Sequence, residues 1–480
     1  MKLSELLRRI PVQSMTADAD TDILTVTDDT RKIQAGSLFV CIAGNHFDGH
    51  SAAEQALRDG AAAVVTQRDL GLSRQVLVDN TRAAYAQICA AYFGNPADSL
   101  RLIGVTGTNG KTTTCFLMHD ILTACGVPCG LLGTIKNLIG RQEVPSTLTT
   151  PDPFELHSLF RRMADAGCTH CVMEASSQAL AQYRLAGVHF CAAIFTNLTQ
   201  DHLDYHGTFE NYAAAKHMLF LQSDLAVVNA DDAAAQTMTA GVDCPVVTFS
   251  AKSDTADYIA KNIRVRADGV EYELVSRRQI GRVRFAVPGG FSVYNSMGAI
   301  VCLTKLGVPF EEILKAVAAF RTIPGRMEVV PTDTPYTVLI DYAHTPDALE
   351  NVLRTLRETA QGRVLAVFGC GGDRDSTKRP IMGRIAAENA DLVFVTSDNP
   401  RTEDPERILD DIMAGIPHSR SGVYRIADRK EAIAKAMHKA KAGDVIVLAG
   451  KGQETYQIIG HEKRHLDERE VVADVLKQAD

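Results

Sequence analysis

"GVTGTNGKTTT", residues 104–114, decides how this chain is read. It closes an apolar run, "LIGVT", that has the look of a buried strand, and it opens into helical periodicity. Glycines let backbone approach an anion closely, and the N–H groups at a helix start favour phosphate. In that setting Lys111 reaches the β- and γ-phosphates of a nucleotide, and the Thr112 hydroxyl holds Mg²⁺. The expected cradle is Gly107, Thr108, Asn109, Gly110, Lys111, Thr112 and Thr113. The spacing is a variant of the usual phosphate loop. Its first glycine falls at position 105, which here is Val105, with Gly104 and Gly107 on either side. A glycine turn beside a surface lysine is the bland alternative, and the strand–loop–helix context favours phosphate.

Outward from the loop, further strands are expected in "HCVMEA", "CAAIFTN" and "DLAVVNA". The stretch 263–290 alternates apolar and polar residues, which predicts an antiparallel excursion. Residues 307–320 return to helix. Downstream, "TVLIDYA", "RVLAVFG", "DLVFVTS" and "DVIVLAG" each precede a polar loop, respectively "HTPD", "CGGDRD", "DNPRTED" and "KGQE". Helical patterns separate them; Leu349, Val352, Leu353 and Leu356 form one stripe. Strands alternating with helices predict a parallel, doubly wound sheet whose polar loops share one edge. Arg374, Arg401 and Glu454 should therefore meet. "FGNPADSL" reads as a linker. The fold class is α/β with three domains: a small mixed α/β domain at 1–97, a central P-loop ATPase-type parallel sheet at 98–327, and a Rossmann-like doubly wound sheet at 328–480.

The totals exclude some functions. The chain has 480 residues, 46% apolar and 22% charged, with a net charge of −8 and no basic block. Nucleic-acid binding is not expected, because that affinity needs clustered Lys and Arg. No apolar run reaches bilayer length, and Glu5, Arg8 and Arg9 interrupt any signal-peptide core, so no membrane insertion and a cytoplasmic location are expected. Leu3, Leu6, Leu7 and Ile10 mark one face of an amino-terminal helix. Eleven scattered cysteines read as reduced, buried apolar residues. "CTHC" lacks the two further ligands that zinc needs.

Two more residues carry chemistry. "VMEASS" puts Glu174 at a strand's carboxyl end, and "TNLTQDHLDYHG" puts His202 after the next strand. Both are candidate Mg²⁺ ligands. His202 and His206 are spaced like half of a zinc helix, but the adjacent glutamate of that motif is missing.

Taken in order, "GTNGKTTT", "MEASS", "TNLTQDHLDYHG", "YAAAKHMLF", "PGRMEVV" and "DYAHTPDAL" resemble the Mur ligases, the ATP-dependent amide-forming enzymes of peptidoglycan precursor synthesis. The resemblance covers all three segments. It implies small-molecule substrates, with ATP and Mg²⁺ as cofactors and a monomer as the working form. Lys111, Glu174, His202 and Lys216 are then the catalytic set. Thr112, Glu174, His202 and Lys216 are the metal set, with Lys216 modified to a carbamate; an ordinary salt-bridged lysine is the alternative. Asn295, Arg326, Asp341 and His344 join the phosphate loop around ATP. Asp28, Thr30, Asn45, His46 and Phe47 match the uridine site. Thr149, Thr150, Ser176, Gln182 and Arg184 match contacts to the muramoyl dipeptide. Arg374, Asp398, Asn399, Pro400, Arg401, Gly450 and Glu454 match the amino-acid pocket. Asp28 and Gln453 depart from residues common in the family.

In this family Asp-Asn-Pro-Arg, here residues 398–401, marks the branch that adds meso-2,6-diaminopimelate to UDP-N-acetylmuramoyl-L-alanyl-D-glutamate. Diaminopimelate is lysine with a second carboxylate, and Arg401 can grip that carboxylate with two parallel hydrogen bonds. Arg374 can assist, while Asp398 and Glu454 receive the distal ammonium. Three readings stay open beside this one: a lysine-adding member, a folylpolyglutamate synthetase-like ligase, and a P-loop ATPase that forms no amide.

Overall fold

The computed structural model describes residues 1–44, 47–266, 269–321 and 323–479, so Asn45 and His46 of the expected uridine site lie outside the described residues. The chain folds as three α/β domains, each built on its own sheet.

The amino-terminal sheet has five strands in the order Val12–Met15, Gln75–Val78, Ala61–Thr66, Ser37–Val40, Thr25–Thr27. Only the first pairing is antiparallel. Leu3, Leu6, Leu7 and Ile10 are all buried as their spacing predicts, but the helix spans only Leu3–Leu6. Pro11 disfavours helical backbone at Ile10, so the stripe is completed by a turn.

The central sheet has eleven strands. Its core is parallel. Arg101–Thr106 lies between His170–Glu174 and Ala192–Phe195, with Ala226–Asn229 and Val246–Ser250 beyond. The alternating stretch forms the strands Tyr258–Arg266, Gly269–Ser276 and Ile280–Phe285, paired antiparallel as expected. Leu131, Val105 and Ile194 pack with the apolar faces of the helices Lys111–Ala124 and Gly290–Lys305 in one core. Each fully buried aliphatic side chain there stabilises by about 1.5–3 kcal/mol.

The carboxyl-terminal sheet orders its strands Glu328–Val330, Thr337–Asp341, Val445–Ala449, Val364–Phe368, Leu392–Val395, Val423–Arg425. All pairs but the first are parallel. The four strands expected from the sequence are therefore neighbours, and their trailing loops emerge on one edge. The helix Pro346–Thr359 buries Leu349, Val352, Leu353 and Leu356. Its start is fixed by Thr345, whose side chain accepts from the Ala348 N–H, and by Pro346 in the first turn. Among the described residues no helix is long and apolar enough to cross a membrane. All eleven cysteines are free, and eight of them are buried.

Candidate active site

The strand ending at Thr106 delivers a loop that only glycine can form. Gly107 has φ +147° and Gly110 φ +86°. A Cβ on Gly107 would lie 1.9 Å from Thr196 Oγ1, and one on Gly110 would lie 2.2 Å from Asn295 Oδ1. Lys111 folds back over the loop, donating to the carbonyls of Gly107 (2.9 Å) and Thr108 (2.7 Å). Lys216, on the helix Phe209–His217, donates to the same Gly107 carbonyl at 2.8 Å. Its ammonium lies 4.5 Å from the centre of the Tyr212 ring. Burial pushes the Lys111 amine below its ordinary value. Burial, and then the charge of Lys111, pushes Lys216 well below it.

Thr112 Oγ1 donates to Glu174 Oε1 at 3.0 Å, and Glu174 also accepts from the Thr134 N–H and hydroxyl. Across the cleft, Arg326 donates to Thr112 Oγ1 at 3.2 Å and stacks on the Tyr342 ring at 4.5 Å. Both oxygens of Asp341 accept from the backbone N–H groups of Met327 and Ala343, so this carboxylate, itself at the cleft, also shapes the loop that carries Arg326. Asn109 Nδ2 donates to Asp347 at 2.9 Å, a second direct link between the central and carboxyl-terminal domains.

His202 lines the same cleft as Glu174. It takes a left-handed backbone, φ +54°, and its Nε2 lies 3.3 Å from Asp201. Asp201 is also 4.0 Å from His344 and 3.7 Å from the buried Lys378. Burial alone would raise Asp201, but Lys378, His202 and His344 outweigh it and hold it well below the usual carboxylate range. Burial lowers His202 to about 4, so its ring is neutral at neutral pH. His206, the other half of the histidine pair, bonds the Ser177 hydroxyl instead. Sequence reasoning passes over Asp201, Asp347 and Lys378; the one available signal was the carboxylate next to His202 in "QDH".

Lys111, Thr112, Glu174, Asp201, His202, Lys216, Arg326, Asp341 and His344 line one cleft of about 800 Å³ between the two domains, and Thr149, Thr150, Ser176 and Arg184 line it too. Thr150 Oγ1 donates to the Glu174 carbonyl at 2.7 Å, Arg184 donates to the Thr150 carbonyl at 2.9 Å, and Gln182 accepts from Arg184. Asp28, Thr30 and Phe47 lie outside that cleft, exposed on the amino-terminal domain. Asp28 faces Tyr85 and Asp152. Among the described residues no three His, Cys, Asp or Glu side chains converge as a metal cage. The Thr112 hydroxyl and Glu174 carboxylate in contact do fit Mg²⁺, which takes one or two carboxylates and otherwise phosphates and water.

A second cluster occupies the edge of the carboxyl-terminal sheet. Arg401 has φ +51°, a conformation that Cβ-bearing residues seldom adopt. Its backbone is pinned on both sides, N–H to Ile458 and carbonyl to the Gly460 N–H. Its guanidinium donates to the Gly372 carbonyl at 2.8 Å and forms no salt bridge among the described residues. Arg374 and Arg401 flank Gly371, as the strand order requires. Burial, then the neighbouring Arg374, lowers Arg401 from its ordinary value. The Pro400 carbonyl packs against Gly372, and Asp398 Oδ2 lies where a Cβ on Gly450 would be. Asn399 Nδ2 donates to Glu454 at 2.8 Å.

Glu454, expected from the sequence to receive the donor's ammonium, already has partners on one of its two oxygens. The buried Lys451 already donates to it at 2.9 Å and to Asn399 Oδ1 at 3.2 Å. Beneath them Arg429 and Glu468 form a fully buried pair at 2.8 Å, and Arg429 also donates to the carbonyls of Ala449 and Ser397. One guanidinium thus ties together the ends of two strands whose loops carry the cluster.

Three family models match the chain: Mur ligase family, catalytic domain, at residues 22–93; Mur ligase middle domain, at 105–303; and Mur ligase, glutamate ligase domain, at 325–452. The chain is 43% identical over 487 residues to the UDP-N-acetylmuramoyl-L-alanyl-D-glutamate–2,6-diaminopimelate ligase of Clostridium perfringens (strain 13 / Type A), covering 99% of this chain and 100% of that protein. A solved structure of a ligase of that name superposes with a TM-score of 0.70 at 34% identity, covering 100% of this chain and 99% of the other. A folylpolyglutamate synthase of Mycobacterium tuberculosis, complexed with ADP and AMPPCP, matches in fold, with a TM-score of 0.63 at 19% identity, over 77% of this chain and 92% of that one.

Proposed function

This chain belongs to the Mur ligase family, and on that premise we propose that it uses ATP to join meso-2,6-diaminopimelate to UDP-N-acetylmuramoyl-L-alanyl-D-glutamate in cytoplasmic peptidoglycan precursor synthesis. The observation that carries the choice of donor is Arg401: a half-buried guanidinium beside Arg374, bonded to backbone carbonyls and free to take a carboxylate. A site built around such a cation rejects an analogue that lacks the acid group, because the cation is then left unpaired.

The reaction runs in two steps. An oxygen of the D-glutamyl γ-carboxylate attacks the γ-phosphorus of ATP, the bond to the β-phosphate oxygen breaks, and ADP leaves. The neutral amine of the donor then attacks the acyl phosphate carbon; the amine proton is lost and inorganic phosphate departs. Two anions must approach each other in the first step, so the protein's task is to cancel charge and hold geometry. Lys111 swings from the loop carbonyls to the phosphates, which offer it far stronger acceptors. Arg326, already at Thr112, adds a second cation from the opposite domain. Thr150, Ser176 and Arg184 orient the dipeptide. Asp341 acts by fixing the Arg326 loop.

Mg²⁺ would be held by Thr112 and Glu174, with His202 and a carbamylated Lys216 nearby, and would supply neutralisation of phosphate charge. The depressed amine of Lys216 supports the carbamate, since only a neutral amine captures CO₂. The carbamate then places an anion beside the phosphate loop, where the unmodified amine donates to the Gly107 carbonyl. Domain closure is expected, because Asn109–Asp347 and Arg326–Thr112 both span the cleft.

ADP release tests the reading. It should appear with the uridine-linked dipeptide plus meso-diaminopimelate, and not with lysine in its place, with folate plus glutamate, or with ATP alone. Equal turnover with lysine removes the donor assignment.

A further inference from the structure

Lys451 is a charged side chain with 0% exposure, inside the cluster assigned to the amino donor, and the mechanism above does not use it. Burying an ammonium is costly unless it is paired and hydrogen-bonded. Here the pairing is with the pocket's own acids. Its Nζ lies 2.9 Å from Glu454 Oε2 and 3.8 Å from Asp398 Oδ1, with Asn399 Oδ1 as a neutral third acceptor at 3.2 Å. Tyr456 lies under it, 5.7 Å to the ring centre. Two carboxylates against one ammonium leave a single negative charge.

We propose that Lys451 is a positioning residue that offsets one of the two acidic side chains of the donor's ammonium subsite, so that Asp398 and Glu454 together take up one ammonium. The inference rests on the proposed donor pocket. Other charges around the cluster do not supply this balance. Arg401 and Arg374 stand together on the side assigned to the donor's carboxylate. Arg429 and Glu468 compensate each other beneath the floor. Tyr342 and Tyr456 are held neutral by burial, with Glu454 and Asp398 adding to that.

Without Lys451 the ammonium 2.9 Å from Glu454 and 3.8 Å from Asp398 is gone, and the two acidic side chains share the subsite with no cation hydrogen-bonded to either. Like charges that share a site disfavour one another's ionised form. In that variant donor binding should weaken as pH falls.

The test is steady-state kinetics from pH 6 to 9 on Lys451→Met, Glu454→Gln and the double variant, with ADP production as readout. For Lys451→Met we expect the donor KM to rise at least tenfold and to climb further as pH falls, while the KM values for ATP and the uridine-linked dipeptide stay within twofold. The double variant restores one net negative charge, so its donor KM should be no worse than that of Glu454→Gln alone and flat in pH. If Lys451→Met does not fold, the balanced double variant should fold, by circular dichroism and thermal melting; if neither folds, Lys451 is packing and the proposal fails. A Lys451→Met donor KM that matches the native protein and is flat in pH also overturns it, provided Glu454→Gln raises that KM. If Glu454→Gln leaves the donor KM unchanged, the donor-pocket reading itself is wrong.

Discussion

Lys111 and Lys216 donate to one and the same carbonyl, that of Gly107, at 2.9 and 2.8 Å. Two buried amines so close cannot both carry a full charge cheaply, and both are depressed. The first prediction follows from that sharing. Protein equilibrated with ¹³CO₂ should show a carbamate carbon resonance that disappears in Lys216→Met. That variant should lose at least a hundredfold in turnover and regain part of it with added short carboxylates. A spectrum identical to that of the native protein would remove the carbamate.

Arg401→Asn separates side chain from backbone, because asparagine tolerates the left-handed φ of +51° better than alanine. Losing a charged hydrogen-bond partner costs about 1.5–3 kcal/mol, roughly tenfold to a hundredfold or more. The drop should fall on kcat/KM for diaminopimelate and leave the KM for ATP in place. Selectivity over lysine should shrink by the same factor.

Gly110→Ala places a methyl group 2.2 Å from Asn295 Oδ1 in a left-handed conformation. Conformational strain of about 1–2 kcal/mol adds to overpacking of about 1–3 kcal/mol. Titration calorimetry should show ADP affinity reduced at least tenfold and thermal melting lowered. Retention of native ADP affinity would mean that the loop can move away from the helix Gly290–Lys305.

His157, 1% exposed beside Phe160, has no partner for either ring nitrogen among the described residues, and burial lowers it to about 4. Its folded value lies below the unfolded one, so between the two the unfolded chain binds the extra proton. Stability is complete above about pH 6.5 and falls as pH drops toward 4, by an amount on the order of 3 kcal/mol for this residue. Denaturant midpoints measured at pH 7 and pH 4.5 should diverge less in His157→Phe than in the native protein.

Much of the architecture was legible because it rests on contiguous patterns. The phosphate loop, the alternation across residues 263–290 and each of the four neighbouring strands of the last sheet announce themselves in uninterrupted stretches of sequence. What stayed hidden depends on burial, which a polar loop does not reveal. Lys451 in "KGQE" and Arg429 in "ADRKEA" look like solvated charges in the sequence, yet they are 0% and 1% exposed. The same blindness hid that Lys451 stands against Glu454. Asp201 was masked by the histidine beside it, which drew the eye as a metal ligand. The pairing of Asp201 with Lys378 spans two domains, and no local pattern carries it.

The buried Arg429–Glu468 pair also makes the donor cluster lean on the last helix of the chain, Glu468–Ala479. Glu468 supplies the counter-charge to the guanidinium that holds the carbonyls of Ser397 and Ala449, so a change in that distant helix reaches the floor beneath Lys451 without touching the glycine loop at 107–110.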